Sequence, residues 1–370
     1  MPKIGISSVN WSGGGHAFKL KMKSHFSPEN SLKVSKLKVS NYSQLISIES
    51  IFQAWEEFKK GKRNKKDVQL FERHLEDNIF DLYFALTSKN YKHGGYFEFY
   101  VNDPKRRHIH KAKVSDRIVH HLLYKYLYEI FDKKFIYDSY SCRKGKGTHK
   151  AVKRLEKLTK IVSLNYTREC WALKLDVKKF FDSIDHNLLK DLVHKNIKDK
   201  NINQLIDEVI DSFHSEVGEG KGIPLGNVSS QIFANIYLNE LDQFLKHDLK
   251  IRYCLRYADD FIILDNSKVK LLHYINIMKS FLDESLKLEL HPKKVIYRKL
   301  SWGIDFCGYI VLPHYMLPRT KTKRRIVKKV TNETISTQAL DSYVGYLSHA
   351  KSYKIQQVLK NIYFLNNENF

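Results

Sequence analysis

Two adjacent carboxylates, Asp259 and Asp260, lie between two segments with the pattern of β-strands. Apolar residues occupy alternate positions through residues 251–257, and residues 261–264 are continuously apolar, as in a strand buried on both faces. Neighbouring carboxylates repel each other, and a divalent cation such as Mg²⁺, which prefers carboxylate oxygens, would offset that repulsion. A polar hairpin turn, in which aspartate is common, is the competing interpretation.

A third carboxylate, Asp176, ends another strand-like segment at residues 171–175. An aromatic pair at residues 180–181 follows it, and residues 182–186 carry short polar side chains typical of a helix start. Two-metal nucleotidyl transfer needs carboxylates that hold two ions about 3.5–4 Å apart. Asp176 and Asp259 could hold such ions if their strands are neighbours in one sheet.

These acids belong to an ordered series of motifs that resembles reverse transcriptases, which are right-hand polymerases with a Tyr-x-Asp-Asp hairpin in the palm. The series extends from about Val101 to Leu312, and its segments are residues 103–109, 139–149, 176–181, 222–231, 257–260, 290–294 and 306–309. Each short segment can arise by chance, whereas the complete series in this order is specific to the family.

The resemblance implies roles for the acids. Asp176, Asp259 and Asp260 are expected to be the catalytic residues and to bind two Mg²⁺ ions, with Mn²⁺ as the alternative ion. The backbone carbonyl of Val177 is expected to complete one coordination site.

The resemblance also implies contacts to the phosphates of an incoming nucleotide. Lys105 and Arg107 belong to the fingers motif whose basic side chains meet the triphosphate. Arg143 belongs to the second fingers motif and is expected to bind phosphate. Lys294 is at the position of a palm lysine that is proposed to protonate the pyrophosphate.

Three further residues are expected to contact the sugar and base of the nucleotide. Phe181 would exclude a ribose 2′-OH, and Leu225-Gly226 lie in the loop below the templating base pair. Many reverse transcriptases have Gln-Gly at the latter position and Ser-Pro where this chain has Ser230-Gln231. The pattern resembles the bacterial branch that contains enzymes of diversity-generating retroelements and of antiphage defence. Relaxed fidelity caused by Leu225 is therefore a hypothesis.

The composition predicts a polyanionic partner. The 370-residue chain contains 64 Lys+Arg and 40 Asp+Glu, a formal net charge of +24, and neutralisation of phosphates supplies most non-specific affinity for nucleic acids. A solvated basic surface and an anionic membrane are the alternatives. The sequence contains neither an 18-residue apolar run nor a signal-peptide pattern, so we expect a cytoplasmic protein with no membrane partner.

The predicted fold class is α+β: a right-hand polymerase with fingers, an antiparallel palm sheet and a short helical thumb. We expect an N-terminal extension at residues 1–45, fingers and palm at residues 46–312, and a basic helical thumb at residues 313–370.

The predicted function is RNA-directed DNA polymerisation that extends a 3′ end with dNTPs. Antiphage defence with a dedicated structured RNA is the favoured role, and the expected partners are that RNA template, the DNA product, dNTPs and an accessory protein or a further copy of the chain. The alternatives are an error-prone enzyme of a diversity-generating retroelement, untemplated or protein-primed synthesis, and an RNA-binding scaffold without activity.

Overall fold

The computed structural model describes residues 41–102, 105–332 and 335–367. The predicted N-terminal extension therefore lies outside the described residues as far as residue 40. The helices are α1 (Tyr42–Leu45), α2 (Ile48–Lys59), α3 (Lys66–Arg73), α4 (Leu75–Thr87), α5 (Val114–Phe131), α6 (Thr148–Val162), α7 (Phe180–Ser183), α8 (His186–His194), α9 (Lys200–Asp211), α10 (Val228–Gln243), α11 (Lys268–Leu286), α12 (Thr320–Asn332), α13 (Thr337–Ser348) and α14 (Tyr353–Asn367).

The strands form three antiparallel sheets. They are β1 (Tyr96–Val101), β2 (Arg107–Ala112), β3 (Trp171–Asp176), β4 (Cys254–Tyr257), β5 (Asp260–Asp265), β6 (Ile296–Lys299), β7 (Ile304–Phe306), β8 (Tyr309–Leu312) and β9 (Tyr315–Pro318). The central sheet has the order β4-β5-β3-β6, β1 and β2 form a hairpin, and β7, β8 and β9 form a meander.

The central sheet is covered on both faces. Successive side chains of a strand point to opposite faces, so Phe261 and Ile263 of β5 enter the core that includes residues of α5 and α10, whereas Ile262 and Leu264 enter the core that includes residues of α6. This double burial is the reason for the continuous apolar run after the two aspartates. The antiparallel pairing of the sheet's strands and the helices on both of its faces confirm the predicted α+β class.

The C-terminal helices form a small core of their own. Helices α12, α13 and α14 contribute to it with Ile326, Val330, Leu340, Leu347 and Leu359. The domain boundary at residues 312/313 stays a prediction, and β9 lies just beyond it and pairs with β8. Among the described residues, no helix is long and apolar enough to cross a membrane.

Candidate active site

The Asp259-Asp260 pair lies in the hairpin between β4 and β5. Tyr257 pairs with Asp260, so Ala258 and Asp259 form a two-residue loop. Ala258 has a φ of +54°, and a positive φ at the first loop position is a feature of the turns that suit the twist of paired strands. A non-glycine residue in this region costs on the order of 1–3 kcal/mol and persists where surrounding contacts hold it.

Arg256 supplies one such contact. Its Nη1 donates to the Ala258 carbonyl at 3.1 Å and to Asn235 Oδ1 at 3.0 Å. Its Nε and Nη2 donate to Asp242 Oδ2 at 2.9 and 2.6 Å, and both charged side chains are only 1% exposed. This ion pair connects the hairpin to α10. The sequence alone does not indicate this pair, because no periodicity relates residues that lie 14 positions apart on different elements.

The third acid lies beside this hairpin. Asp176 is directly opposite Asp260 in the register of β3 and β5, and such cross-strand neighbours have Cβ atoms about 4.5–5.5 Å apart. Burial, together with the charges of Asp176 and Asp260, raises the pKa of Asp259 to about 6. The strands that carry the three predicted catalytic acids are therefore adjacent. The three carboxylates are partly buried and repel one another.

Two lysines compensate part of this negative charge. Lys294 Nζ lies 2.8 and 3.0 Å from the two carboxylate oxygens of Asp176. Lys174 Nζ lies 3.4 Å from Asp260 Oδ1 and donates to the Asp305 carbonyl at 3.4 Å. Lys294 was expected near the reacting phosphates, whereas Lys174 was not among the predicted residues. Its position two residues before Asp176, on the same face of a strand, could have indicated it.

The backbone around Val177 is fixed by the segment that leads to Lys294. The His291 amide donates to the Asp176 carbonyl at 2.8 Å, and the Lys178 amide donates to the Glu289 carbonyl at 2.9 Å. Val177 itself is 2% exposed. These bonds give the Val177 carbonyl a defined place beside the acids, and its role as a metal ligand stays a prediction.

Phe181 lies in α7, which begins four residues after Asp176 at the end of β3. It is half-buried, and its ring centroid is 5.4 Å from that of Phe180. Its carbonyl accepts a hydrogen bond from the Ile223 amide at 2.8 Å, while the Gly222 amide donates to the Ile184 carbonyl at 2.7 Å. The loop that contains Leu225 is thus joined to the segment that contains Phe181.

The same loop is joined to the β1–β2 hairpin. The His110 amide donates to the Leu225 carbonyl at 2.9 Å, and Asn227 Nδ2 donates to the His110 carbonyl at 2.8 Å. Gly226 has a φ of +121°, and a Cβ there would lie 2.8 Å from Cγ2 of Ile109. Glycine is required at this position by both the backbone conformation and the close approach of β2.

Lys105 and Arg107 lie near the tip of the β1–β2 hairpin and are exposed. Arg107 pairs with Val101 in the hairpin register. Between the two, Arg106 packs over the ring of Tyr100 at 4.1 Å. The position and exposure of Lys105 and Arg107 leave their side chains accessible to a ligand.

Arg143 has a different environment. Its Nε donates to Asp132 Oδ1 at 2.6 Å, and the guanidinium also donates to the carbonyls of Ile136, Ser139 and Asp132. Its side chain is 9% exposed. This guanidinium thus joins the end of α5 to the loop before α6, and its hydrogen bonds within the described residues go to Asp132, Ile136 and Ser139. Its role in phosphate binding stays a prediction.

An antiparallel sheet that presents paired acids in a hairpin and a third acid on the adjoining strand defines the palm of a right-hand polymerase. The family model "Reverse transcriptase (RNA-dependent DNA polymerase)" matches residues 101–311, and the chain belongs to this family.

Two bacterial relatives agree with this assignment. The chain is 26% identical to the protein YkfC of Escherichia coli over 55% of its own length and 63% of the relative. It is 24% identical to the group II intron-encoded protein LtrA of Lactococcus lactis over 56% of its length and 45% of the relative. The chain therefore spans less than two thirds of either relative. An apo telomerase structure from Candida tropicalis is 12% identical, with a TM-score of 0.49 over 69% of this chain and 52% of that one.

Proposed function

We propose that the chain is an RNA-directed DNA polymerase that extends a 3′ end with dNTPs. The observation that carries the proposal is the cross-strand pairing of Asp176 with Asp260, next to a hairpin loop that contains Asp259. Membership of the reverse transcriptase family supports the same reaction class.

The acids fit divalent cations. Their donors are carboxylate oxygens, which suit Mg²⁺ and Mn²⁺. Burial and the neighbouring charges of Asp176 and Asp260 raise the pKa of Asp259, and a bound cation would stabilise its ionised form against both. Asp176, Asp259, Asp260 and the Val177 carbonyl would hold two such ions. Bound there, the ions supply Lewis-acid activation of the 3′ hydroxyl and neutralisation of charge on the leaving pyrophosphate.

The remaining predicted residues would bind and orient the nucleotide. Lys105 and Arg107 bind the triphosphate from the exposed hairpin. Phe181 discriminates against a ribose 2′-OH, because its ring lies in the segment directly after Asp176. Lys294, which contacts Asp176, acts as the general acid toward the leaving pyrophosphate.

The finer biological role is also part of the proposal. Leu225 and Gly226, in place of the Gln-Gly of many relatives, favour the branch with diversity-generating and defence enzymes. Of these roles we propose antiphage defence in the cytoplasm, with a dedicated structured RNA and an accessory protein or second copy. Sequencing of RNA and DNA that copurify with the protein tests synthesis on such an RNA: a discrete RNA with complementary DNA supports it, whereas DNA that matches no bound RNA indicates untemplated synthesis. Neighbouring genes test the role: a defence island supports antiphage defence, whereas a variable-protein gene with paired repeats indicates diversification.

The activity itself is tested by primer extension on an RNA template. Asp259→Ala should lower the extension rate by at least about 10³-fold, which corresponds to roughly 4 kcal/mol of transition-state stabilisation, and should leave RNA binding intact. Glu284→Ala is the matched control, because Glu284 is an exposed acid on α11. Retained extension by Asp259→Ala would refute the assignment of the acids.

A further inference from the structure

Three potential metal ligands lie together on the β1–β2 hairpin, apart from the catalytic acids. His108 Nε2 is 3.1 Å from Glu98 Oε2, and His110 Nε2 is 3.8 Å from Glu98 Oε1. The ligand atoms of all three residues lie within 4.8 Å of one another.

The strand register explains why these side chains meet. His108 and His110 are two positions apart on β2 and therefore project from the same face. Glu98 is the direct partner of His110 on β1. Three ligands from two paired strands can thus surround one point above the hairpin.

Neighbouring aromatic rings orient the two imidazoles. The ring of Tyr100 stacks on that of His108 with centroids 4.5 Å apart and an interplanar angle of 9°. The ring of Phe213 meets that of His110 at 4.6 Å and 67°. The His110 side chain is 12% exposed, whereas that of Glu98 is 56% exposed, so the cluster is held on one side and open on the other.

We propose that Glu98, His108 and His110 bind a zinc ion, or a divalent transition ion of similar chemistry. Tetrahedral zinc with bonds of about 2.0–2.1 Å to nitrogen and oxygen places its ligand atoms roughly 3.3 Å apart. The imidazole nitrogens lie 3.1 and 3.8 Å from the two different carboxylate oxygens of Glu98, and one ligand atom from each of the three residues lies within 4.8 Å of the others. Two imidazoles and one carboxylate form a three-ligand set that leaves the fourth position open.

The donor chemistry separates this site from the catalytic one. Imidazole suits zinc, copper, nickel and iron, whereas carboxylate-only sites suit Mg²⁺ and Mn²⁺. An excess of Mg²⁺ therefore occupies the acids around Asp176 without displacing zinc from the histidines.

Zinc at this place would join β1 to β2. An isolated two-stranded hairpin is marginally stable, and this hairpin carries Lys105 and Arg107. His110 also bonds the loop of Leu225 through its amide and the side chain of Asn227 through its carbonyl. The ion would thus stabilise both the hairpin and its contact with that loop. This consequence for the nucleotide site rests on the proposed function, whereas zinc binding does not.

The test is a zinc titration of the full chain in excess Mg²⁺ against a chromophoric chelator. One ion should bind to the wild-type protein. Loss of a residue that only supports a metal ligand lowers metal affinity by roughly 10–100-fold. Glu98→Gln and His108→Ala each remove a direct ligand, so each should weaken zinc binding by at least this factor. Matched controls are His273→Ala and Glu284→Gln, since both residues are exposed on α11, and these should bind as the wild type does.

Cobalt provides a second readout of the same site. Co²⁺ in place of zinc should give the visible absorption of a four-coordinate ion in the wild type and in both controls, and this absorption should be lost in Glu98→Gln. Glu98→Gln should still fold, because Gln retains an amide oxygen that can accept hydrogen bonds from the histidines. A circular-dichroism spectrum equal to that of the wild type checks this. Equal affinity in the wild type and both site variants, or no stoichiometric binding to the wild type, would overturn the site. Neither result depends on polymerase activity.

Discussion

At the scale of single residues, Leu225 is the position at which the hypothesis of relaxed fidelity can be tested. Its carbonyl is engaged by the His110 amide, so a substitution changes the side chain alone. Leu225→Gln should introduce an amide that can hydrogen-bond the nucleotide. A net hydrogen bond contributes about 0.5–1.5 kcal/mol, so misincorporation opposite adenine should fall by roughly 2- to 10-fold. Sequencing of products from an RNA template measures it.

Leu225→Met is the control for this prediction, because methionine has a similar volume and no amide. Its error rate should equal that of the wild type. Equal error rates for Leu225→Gln and Leu225→Met would contradict the link between this residue and fidelity.

Arg143 allows a second prediction at the scale of single residues. Its guanidinium makes four bonds to Asp132, Ile136 and Ser139, and removal of the donor leaves these acceptors unpaired. Arg143→Ala should therefore lower the free energy of unfolding by about 1–3 kcal/mol, as measured by urea denaturation. Asp132→Asn should lower it in the same direction. An unchanged stability of Arg143→Ala, accompanied by a higher KM for dNTPs, would instead favour phosphate binding.

At the scale of elements, the ion pair between Arg256 and Asp242 links α10 to the hairpin that contains Asp259 and Asp260. Removal of one partner of a buried pair costs about 3–5 kcal/mol, because the other charge stays buried, whereas apolar replacement of both is often neutral. Arg256→Met should therefore destabilise the fold by about this amount, and Arg256→Met/Asp242→Leu should recover most of the stability.

The two variants should differ from each other in stability and resemble each other in catalysis. Neither variant has a donor for the Ala258 carbonyl, so the turn with Asp259 loses the contact that Arg256 makes at 3.1 Å. We expect a lowered kcat with little change in the KM for dNTPs in both. A double variant with wild-type kcat would show that Arg256 serves stability alone and does not position the turn.

The elements that the sequence predicted well have strong local patterns. The run at residues 261–264 predicted a doubly buried strand, and the structure buries both of its faces. The apolar residues Ile232, Ile236 and Leu241 recur at a spacing typical of a helix, and α10 contains all three on its buried side. Local patterns could not reveal the cluster of Glu98 with two histidines, or the partners of Arg143, because these depend on register and on contacts between elements that lie far apart in the chain.

At the scale of the whole molecule, the net charge of +24 favours nucleic-acid binding where basic side chains are concentrated on an exposed surface. Helix α12 provides one: Ile326 and Val330 are buried, whereas Lys321, Arg324 and Lys328 are exposed. At 100° per residue these three cations share one side of the helix. A stripe of this kind can follow the phosphates of a nucleic acid without reading its sequence.

This stripe makes a measurable prediction. Replacement of Lys321, Arg324 and Lys328 by Gln should weaken RNA binding uniformly across sequences. Each lost phosphate contact lowers the slope of log K against log salt by about 1, so the slope should fall by roughly 2–3 for the triple variant. Fluorescence anisotropy at several salt concentrations measures both quantities.

Net charge alone would give a different result from a localised stripe. A control with the same change in charge replaces three exposed lysines outside α12 by Gln, namely Lys198, Lys270 and Lys279. If α12 binds the phosphates directly, this control should keep the wild-type slope, because counterions are released only where a cation replaces them at the nucleic acid. If both triple variants lower the slope equally, the charge acts as a diffuse field, and α12 does not grip the template–primer duplex.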